Sequence, residues 1–198
     1  MYQLLRCPVC RSAGSGPRGC CAQCAASLFA HHIGPFELSL GPYTGPLEKA
    51  IRAYKFGGVR RLGRLFGSEL ADGLEASTWQ VDVLCAVPLH PLRYMQRGYN
   101  QSALVARAAA RRLGLPYRPL LRRVRSTRQQ ARLGAAARQR NVAGAFYAAP
   151  LSGERVVLVD DVMTSGATVT ECALALFAAG AGLVYVATVA RARDSTVD

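Results

Sequence analysis

Lysine is nearly missing from this 198-residue chain: Lys49 and Lys55 are the only two among 25 Lys and Arg. Acidic residues are missing altogether between Asp82 and Glu154, and tryptophan occurs once, at Trp79. No apolar stretch approaches the ~18 residues of a membrane span, so membrane insertion is not expected. Met1 to Cys7 lacks the long hydrophobic run and small-residue cleavage site of a signal peptide, which places the chain in the cytosol as an expectation. In that compartment Asn100-Gln101-Ser102 has no meaning as a glycosylation site. No G-x-x-x-x-G-K-[ST] segment occurs, which argues against a P-loop nucleotidase. There is no internal repeat either.

What is present is positive charge, and it is concentrated. The formal net charge is +13, and the acid-free stretch carries arginines at 93, 97, 107, 111, 112, 118, 122, 123, 125, 128, 132, 138 and 140. Such a block suits a polyanionic partner, either phosphorylated small molecules or nucleic acid. A solubilising face in an arginine-preferring proteome is the plainer reading, and charge alone does not separate the two.

Five of the seven cysteines fall within the first 24 residues. Cys7-x-x-Cys10 and Cys21-x-x-Cys24 form two matched knuckles, the pattern of a closed tetrahedral zinc site of four cysteines with structural rather than catalytic work. Cys20 offers an alternative spacing to Cys24, but the matched knuckles favour Cys21. Gly14 to Gly19 fits G-x-G-x-x-G literally, yet no strand precedes it and Pro17 stiffens it, so it reads as the linker between knuckles. His31 and His32 read as surface residues. Cys85 and Cys172 stand alone in apolar segments, as core residues do.

The chain divides into a zinc-finger module over 1–35 and a larger domain over 36–198, whose first part, 36–78, reads as helical. Apolar residues at 47, 51, 54, 62, 65, 66 and 70 recur at helical spacing, and Gly57-Gly58 splits them into two helices. Val81–Pro88, Arg155–Val159 and Leu183–Val189 read as buried strands. Asn100 caps a helix ending at Leu113 before Gly114, and a second helix covers Thr168–Ala179. Strands alternating with helices predict an α/β fold with a largely parallel sheet. The arginine- and glutamine-rich segment 122–140 reads as an exposed loop.

The strongest chemical signal is Val156-Val157-Leu158-Val159-Asp160-Asp161-Val162-Met163-Thr164-Ser165-Gly166-Ala167-Thr168. A buried strand delivers two adjacent carboxylates to the sheet edge where ligands bind in open α/β sheets. The turn Thr164, Ser165, Gly166, Ala167 and Thr168 opens a helix whose free N–H groups and hydroxyls can cradle a phosphate. Carboxylates accept hydrogen bonds from sugar hydroxyls, so the array suits a sugar phosphate. A strand–turn–helix whose aspartates merely cap the helix is the plainer alternative. A second anion site is expected after the first core strand, where Leu89, His90, Arg93 and Arg97 precede Gly98-Tyr99-Asn100-Gln101.

The 156–168 stretch resembles the phosphoribosyl-pyrophosphate (PRPP) signature of type I phosphoribosyltransferases. The resemblance implies that Asp160 and Asp161 contact ribose hydroxyls, that Thr164–Thr168 binds the 5′-phosphate, and that Mg²⁺ accompanies the pyrophosphate. Val87–Gln101 is similar to the ComF family of competence-associated phosphoribosyltransferase-like proteins. So are Thr127, Gln130 and Leu133 with Arg138, Asn141 and Gly144-Ala145-Phe146, and so is Leu47–Phe56 ending in Tyr54-Lys55-Phe56. The family resemblance extends to an N-terminal zinc finger. It implies a role in natural transformation, with PRPP, single-stranded DNA, the uptake helicase or other competence proteins as partners, at the inner face of the membrane. In phosphoribosyltransferases a flexible loop covers the pyrophosphate, and 122–140 stands in that position, with Gln130 and Arg138 as lid contacts. No base-binding hood is evident in the sequence, and only residues 1–78 are left to form one.

Overall fold

The computed structural model describes residues 6–7, 9–12, 21, 23–24, 28–125 and 142–192. At its centre lies strand β6, Arg155–Met163, whose residues Val156 to Val159 are completely buried. Because side chains alternate along a strand, Val157 and Val159 enter one apolar cluster while Val156 and Leu158 enter another on the opposite face. A strand buried on both faces is the mark of a parallel sheet covered by helices on each side.

Among the described residues the elements run β1 His32–Ile33, β2 Glu37–Ser39, α1 Gly45–Phe56, α2 Leu62–Ala76, β3 Val83–Ala86, α3 Pro91–Arg97, α4 Gln101–Leu113, β4 Leu121–Arg123, β5 Phe146–Ala148, β6, α5 Ala167–Ala178 and β7 Leu183–Arg191. The main sheet has the order β1-β2-β7-β6-β3. β2, β7, β6 and β3 are mutually parallel, and only β1 pairs antiparallel, at the edge. β4 and β5 form a separate antiparallel pair. Helices α1, α2 and α4 share the first cluster with Val157 and Val159, and α5 covers the second. The N-terminal ends of β3 and β6 are pinned together by Asp82, whose carboxylate accepts from Arg155 Nε at 2.9 Å and Nη2 at 2.7 Å.

The expected α/β architecture is present, with helix α4 bounded as its punctuation implies. Asn100 Oδ1 accepts from the Ala103 N–H at 3.3 Å, and Gly114 ends the helix in the left-handed region at φ 67°. Three elements differ from the sequence reading. Glu37–Ser39 is a strand inside the region read as helical, because Leu38 gains full burial by pairing beside Ala187 of β7, a long-range partner invisible to local periodicity. Pro91–Arg97 is a helix, though none of its residues is buried and no apolar period announces it. Leu121–Arg123 is a strand where the loop was expected to begin.

No helix among the described residues is long and apolar enough to cross a membrane.

Candidate functional site

In a parallel sheet every strand ends at the same edge, so Ala86 of β3 and Asp160 of β6 emerge side by side. The Val87 N–H donates to the Val159 carbonyl at 3.0 Å and continues the ladder past the end of β3. Beyond it, His90 caps α3: its Nδ1 accepts from the Leu92 N–H at 3.2 Å. Burial pushes the His90 pKa down, helped by the charges of Arg123 and Arg93, so its ring is a neutral acceptor at neutral pH. Arg93, one turn earlier on α3 than Arg97, is half-buried, as are Leu89 and Arg97.

The two aspartates meet different elements. Asp160 Oδ1 accepts from Ser102 Oγ of α4 at 3.0 Å and from the Asp161 N–H at 2.8 Å. Burial, followed by the neighbouring Asp161 charge, pushes the Asp160 carboxyl up to about 7, against the opposing pull of the Asp161 N–H, Lys55 and Ser102. Asp161 Oδ1 lies 2.7 Å from Lys55 Nζ, with side-chain exposures of 14% and 16%. Two adjacent carboxyl groups at the sheet edge thus meet one lysine ammonium among the described residues.

Lys55 is held there by a reciprocal latch between α1 and the start of α4. Tyr54 Oη donates to the Gln101 carbonyl at 2.8 Å, while Tyr99 Oη donates to the Tyr54 carbonyl. The next residue, Phe56, is 73% exposed, and the Arg97 guanidinium lies 4.9 Å from its ring centre. Burial lowers the Arg97 pKa while the Asp161 charge opposes it, so Arg97 belongs to the same electrostatic neighbourhood as the aspartates.

Three residues after Asp161, the chain turns at Thr164 and Ser165 into Gly166, which sits at φ 73° as the N-cap of α5. The Gly166 carbonyl accepts from the Thr170 N–H at 2.8 Å, which closes the first turn. Ala167 and Thr168 begin the helix, so their N–H groups are among those that a helix start leaves without an intrahelical partner. The carboxylate pair and the helix entrance therefore lie on one continuous segment at one sheet edge. Gln130 and Arg138, the expected lid contacts, lie outside the described residues.

Lys55 and Ser102 are site residues that the sequence reading did not single out for this role. Lys55 carried a signal: it is one of only two lysines in a chain that otherwise uses arginine. Ser102 carried none, since its place depends on how α4 docks.

At the N-terminus, Cys7, Cys10, Cys21 and Cys24 bring their four sulfurs within 4.8 Å of one another. Cys10 Sγ and Cys21 Sγ are 3.7 Å apart, close to the ~3.8 Å edge of a tetrahedron of sulfurs about 2.3 Å from a shared centre. Hydrogen bonds from Ser12 lower the Cys10 thiol to about 6, whereas burial and the neighbouring cysteines raise the Cys24 thiol. This donor set can hold a metal ion. Cys20 and the Gly14–Gly19 linker lie outside the described residues. Cys85 and Cys172 are completely buried core residues, and burial pushes the Cys85 thiol up to about 12.

Comparison with known proteins adds to this geometry. Residues 100–198 match the phosphoribosyl transferase domain family. The chain is 34% identical over 191 residues to the DNA utilization protein YhgH of Salmonella typhimurium, covering 91% of this chain and 81% of that protein. It is 31% identical over 193 residues to Competence protein F of Haemophilus influenzae, covering 87% and 84%. Among solved structures, it is similar to the glutamine phosphoribosylpyrophosphate amidotransferase of B. subtilis, at a TM-score of 0.46 and 27% identity, covering 66% of this chain and 26% of that one.

Proposed function

Because this chain belongs to the ComF family of phosphoribosyltransferase-like proteins, we propose that it binds PRPP at the β6 edge and serves DNA uptake in natural transformation, contacting single-stranded DNA or the proteins that process it. The observation that carries the ligand is the juxtaposition of Asp160 and Asp161 with the Thr164–Thr168 entrance of α5. In this reading the carboxylates accept from the ribose 2′- and 3′-hydroxyls, and the helix entrance, freed at Gly166 by its positive φ, donates N–H groups to the 5′-phosphate. Leu89, His90, Arg93 and Arg97 face the pyrophosphate, with Gln130 and Arg138 on the segment that covers it. The oxygens of the aspartate pair suit a magnesium ion held through its water shell. When bound, that ion neutralises the pyrophosphate charge. Lys55 keeps Asp161 in place, and Ser102 keeps Asp160.

Zinc is the metal we assign to Cys7, Cys10, Cys21 and Cys24. Four thiolates leave no open position, so the ion serves the fold and presents a small knuckled surface for the uptake helicase or other competence proteins. The membrane-proximal placement at the uptake machinery follows from that role.

A second reading makes the protein an active phosphoribosyltransferase that displaces pyrophosphate from PRPP with an unknown acceptor. It is favoured by α1, whose Lys55 and Phe56 reach the sheet edge where a hood would stand. Calorimetric titration with PRPP and Mg²⁺ tests the first reading. We expect saturable binding that Asp160→Asn with Asp161→Asn abolishes, and unchanged binding in that double variant rejects the site. Pyrophosphate release in the presence of candidate acceptors separates turnover from binding alone.

A further inference from the structure

Phe56 is the most exposed aromatic ring in the described residues, and it is not idle. It follows Lys55, which reaches Asp161 at 2.7 Å, and it meets Arg97, on which the Asp161 charge also acts, so the ring lies near the proposed PRPP site. One side is backed by the Arg97 guanidinium at 4.9 Å, and the ring remains 73% exposed. A cation behind an aromatic face holds the ring without side-chain packing and leaves the rest of it open.

The cations continue from there. Arg93 lies one turn from Arg97 on α3, and the two repel: each burial-lowered arginine pKa in this group includes an Arg93 contribution, at Arg97 and again at Arg123. Arg123 on β4 reaches the same neighbourhood as His90, the cap of α3. Arg97 and Arg93, one turn apart on α3, and the half-buried Arg123 of β4, whose guanidinium lies 5.3 Å from the Phe146 ring centre, therefore form a group of positive charge beside the exposed ring, within the stretch of the chain that has no acidic residue. Arg93 and Arg97 are the cations assigned above to the pyrophosphate, so a strand and PRPP use them in turn; Arg123 on the hairpin extends the positive charge beyond that pair, and a lone exposed ring suits a base that is unstacked from its neighbours. Both properties belong to single-stranded nucleic acid, whereas the bases of a duplex are already stacked.

We propose that Phe56 is a stacking platform for a nucleobase of single-stranded DNA, whose backbone follows Arg97, Arg93 and Arg123. This rests on the nucleic-acid part of the reading above and names the surface that meets the strand. The hairpin supplies an internal control. Tyr147 is also exposed and backed by an arginine, Arg122, its cross-strand partner at 4.6 Å. Strand alternation turns this pair to the opposite face of the hairpin from Arg123, away from the proposed strand path.

The test is fluorescence anisotropy with the full-length zinc-loaded protein and three probes: an oligothymidylate, an abasic oligomer of equal length, and thymidine monophosphate. Phe56→Ala should weaken oligothymidylate binding roughly five- to hundredfold without changing its salt dependence, Phe56→Trp should restore it, and Tyr147→Ala should leave it alone. Arg93→Gln should instead reduce the log–log salt slope by about 0.7. The abasic oligomer should bind the wild type and Phe56→Ala equally. Equal losses on the abasic strand, no loss in Phe56→Ala, or thymidine monophosphate bound as tightly as the oligomer overturns the platform. An oligothymidylate that binds with a steep salt dependence but ignores Phe56 sinks this inference alone. Failure of any strand to bind at low salt sinks the nucleic-acid reading with it.

Discussion

Lys55 Nζ on α1 lies 2.7 Å from Asp161 Oδ1, two residues before the end of β6, and this contact joins the N-terminal helices to a strand within the phosphoribosyl transferase match. Both side chains are mostly removed from water, so neither charge is easily left alone. Removing the ammonium leaves Asp161 beside Asp160 with less to oppose their repulsion.

Lys55→Met should therefore destabilise the protein by about 1–3 kcal/mol, below the range for a fully buried pair because some solvent reaches both groups. Adding Asp161→Asn should recover most of the loss, since the unpaired charge is then gone. Denaturant unfolding of the two single variants and the double variant gives the coupling. Additive losses show that the pair is not a unit.

The aspartate beside it predicts a dependence on pH. The folded Asp160 carboxyl sits near 7 against an ordinary 3.8, so the fold prefers it protonated, and ionising it costs stability as pH rises through that interval. Asparagine keeps the acceptor for Ser102 and the Asp161 N–H without the charge. Asp160→Asn should thus raise stability by on the order of 2 kcal/mol at pH 8, with the gain vanishing toward pH 4. Unfolding midpoints of both proteins at pH 5 and pH 8 check it, and a gain that grows toward acid contradicts the sign.

Gly166 occupies φ 73° at the entrance of α5, where a Cβ would find room but a strained backbone; the nearest atom would be Met163 Sδ at 3.9 Å. Gly166→Ala should cost about 1–2 kcal/mol of stability. It should also weaken PRPP binding, because relief of the strain re-aims the N–H groups. Calorimetry on the folded variant measures both. A variant with full stability and full affinity shows that the left-handed turn is dispensable.

Metal removal should reach beyond the cysteine cluster. Cys7 and Cys24 belong to the same apolar cluster as Leu62, Leu65 and Phe66, so the cysteine cluster and the helical layer share a core. Chelation should lower the melting temperature of the main transition, and acidification should release the ion as the thiolates protonate. Scanning calorimetry with metal analysis tests this, with about one zinc per chain expected before chelation. An unmoved main transition after complete removal would disprove the coupling.

Local chemistry along the chain specifies several parts of this protein before any long-range contact forms. The run Val156–Val159 is apolar on both faces and so is a strand covered on both sides. Asp160, Asp161 and the small hydroxylated turn follow it in a single stretch, and Asn100 and Gly114 bound α4 by their own hydrogen bonding and backbone freedom. Matched C-x-x-C pairs likewise announce four sulfurs within reach of one centre. The remaining features come from contacts between residues far apart in the chain. Leu38 becomes a strand residue only beside Ala187, and Ser102 reaches Asp160 only through the docking of α4. Lys55 meets Asp161 where Tyr54 and Tyr99 latch α1 against the start of α4, and Phe56 beside it meets Arg97 of α3. No spacing between neighbours encodes such meetings; they arise from packing two helical faces on one sheet edge.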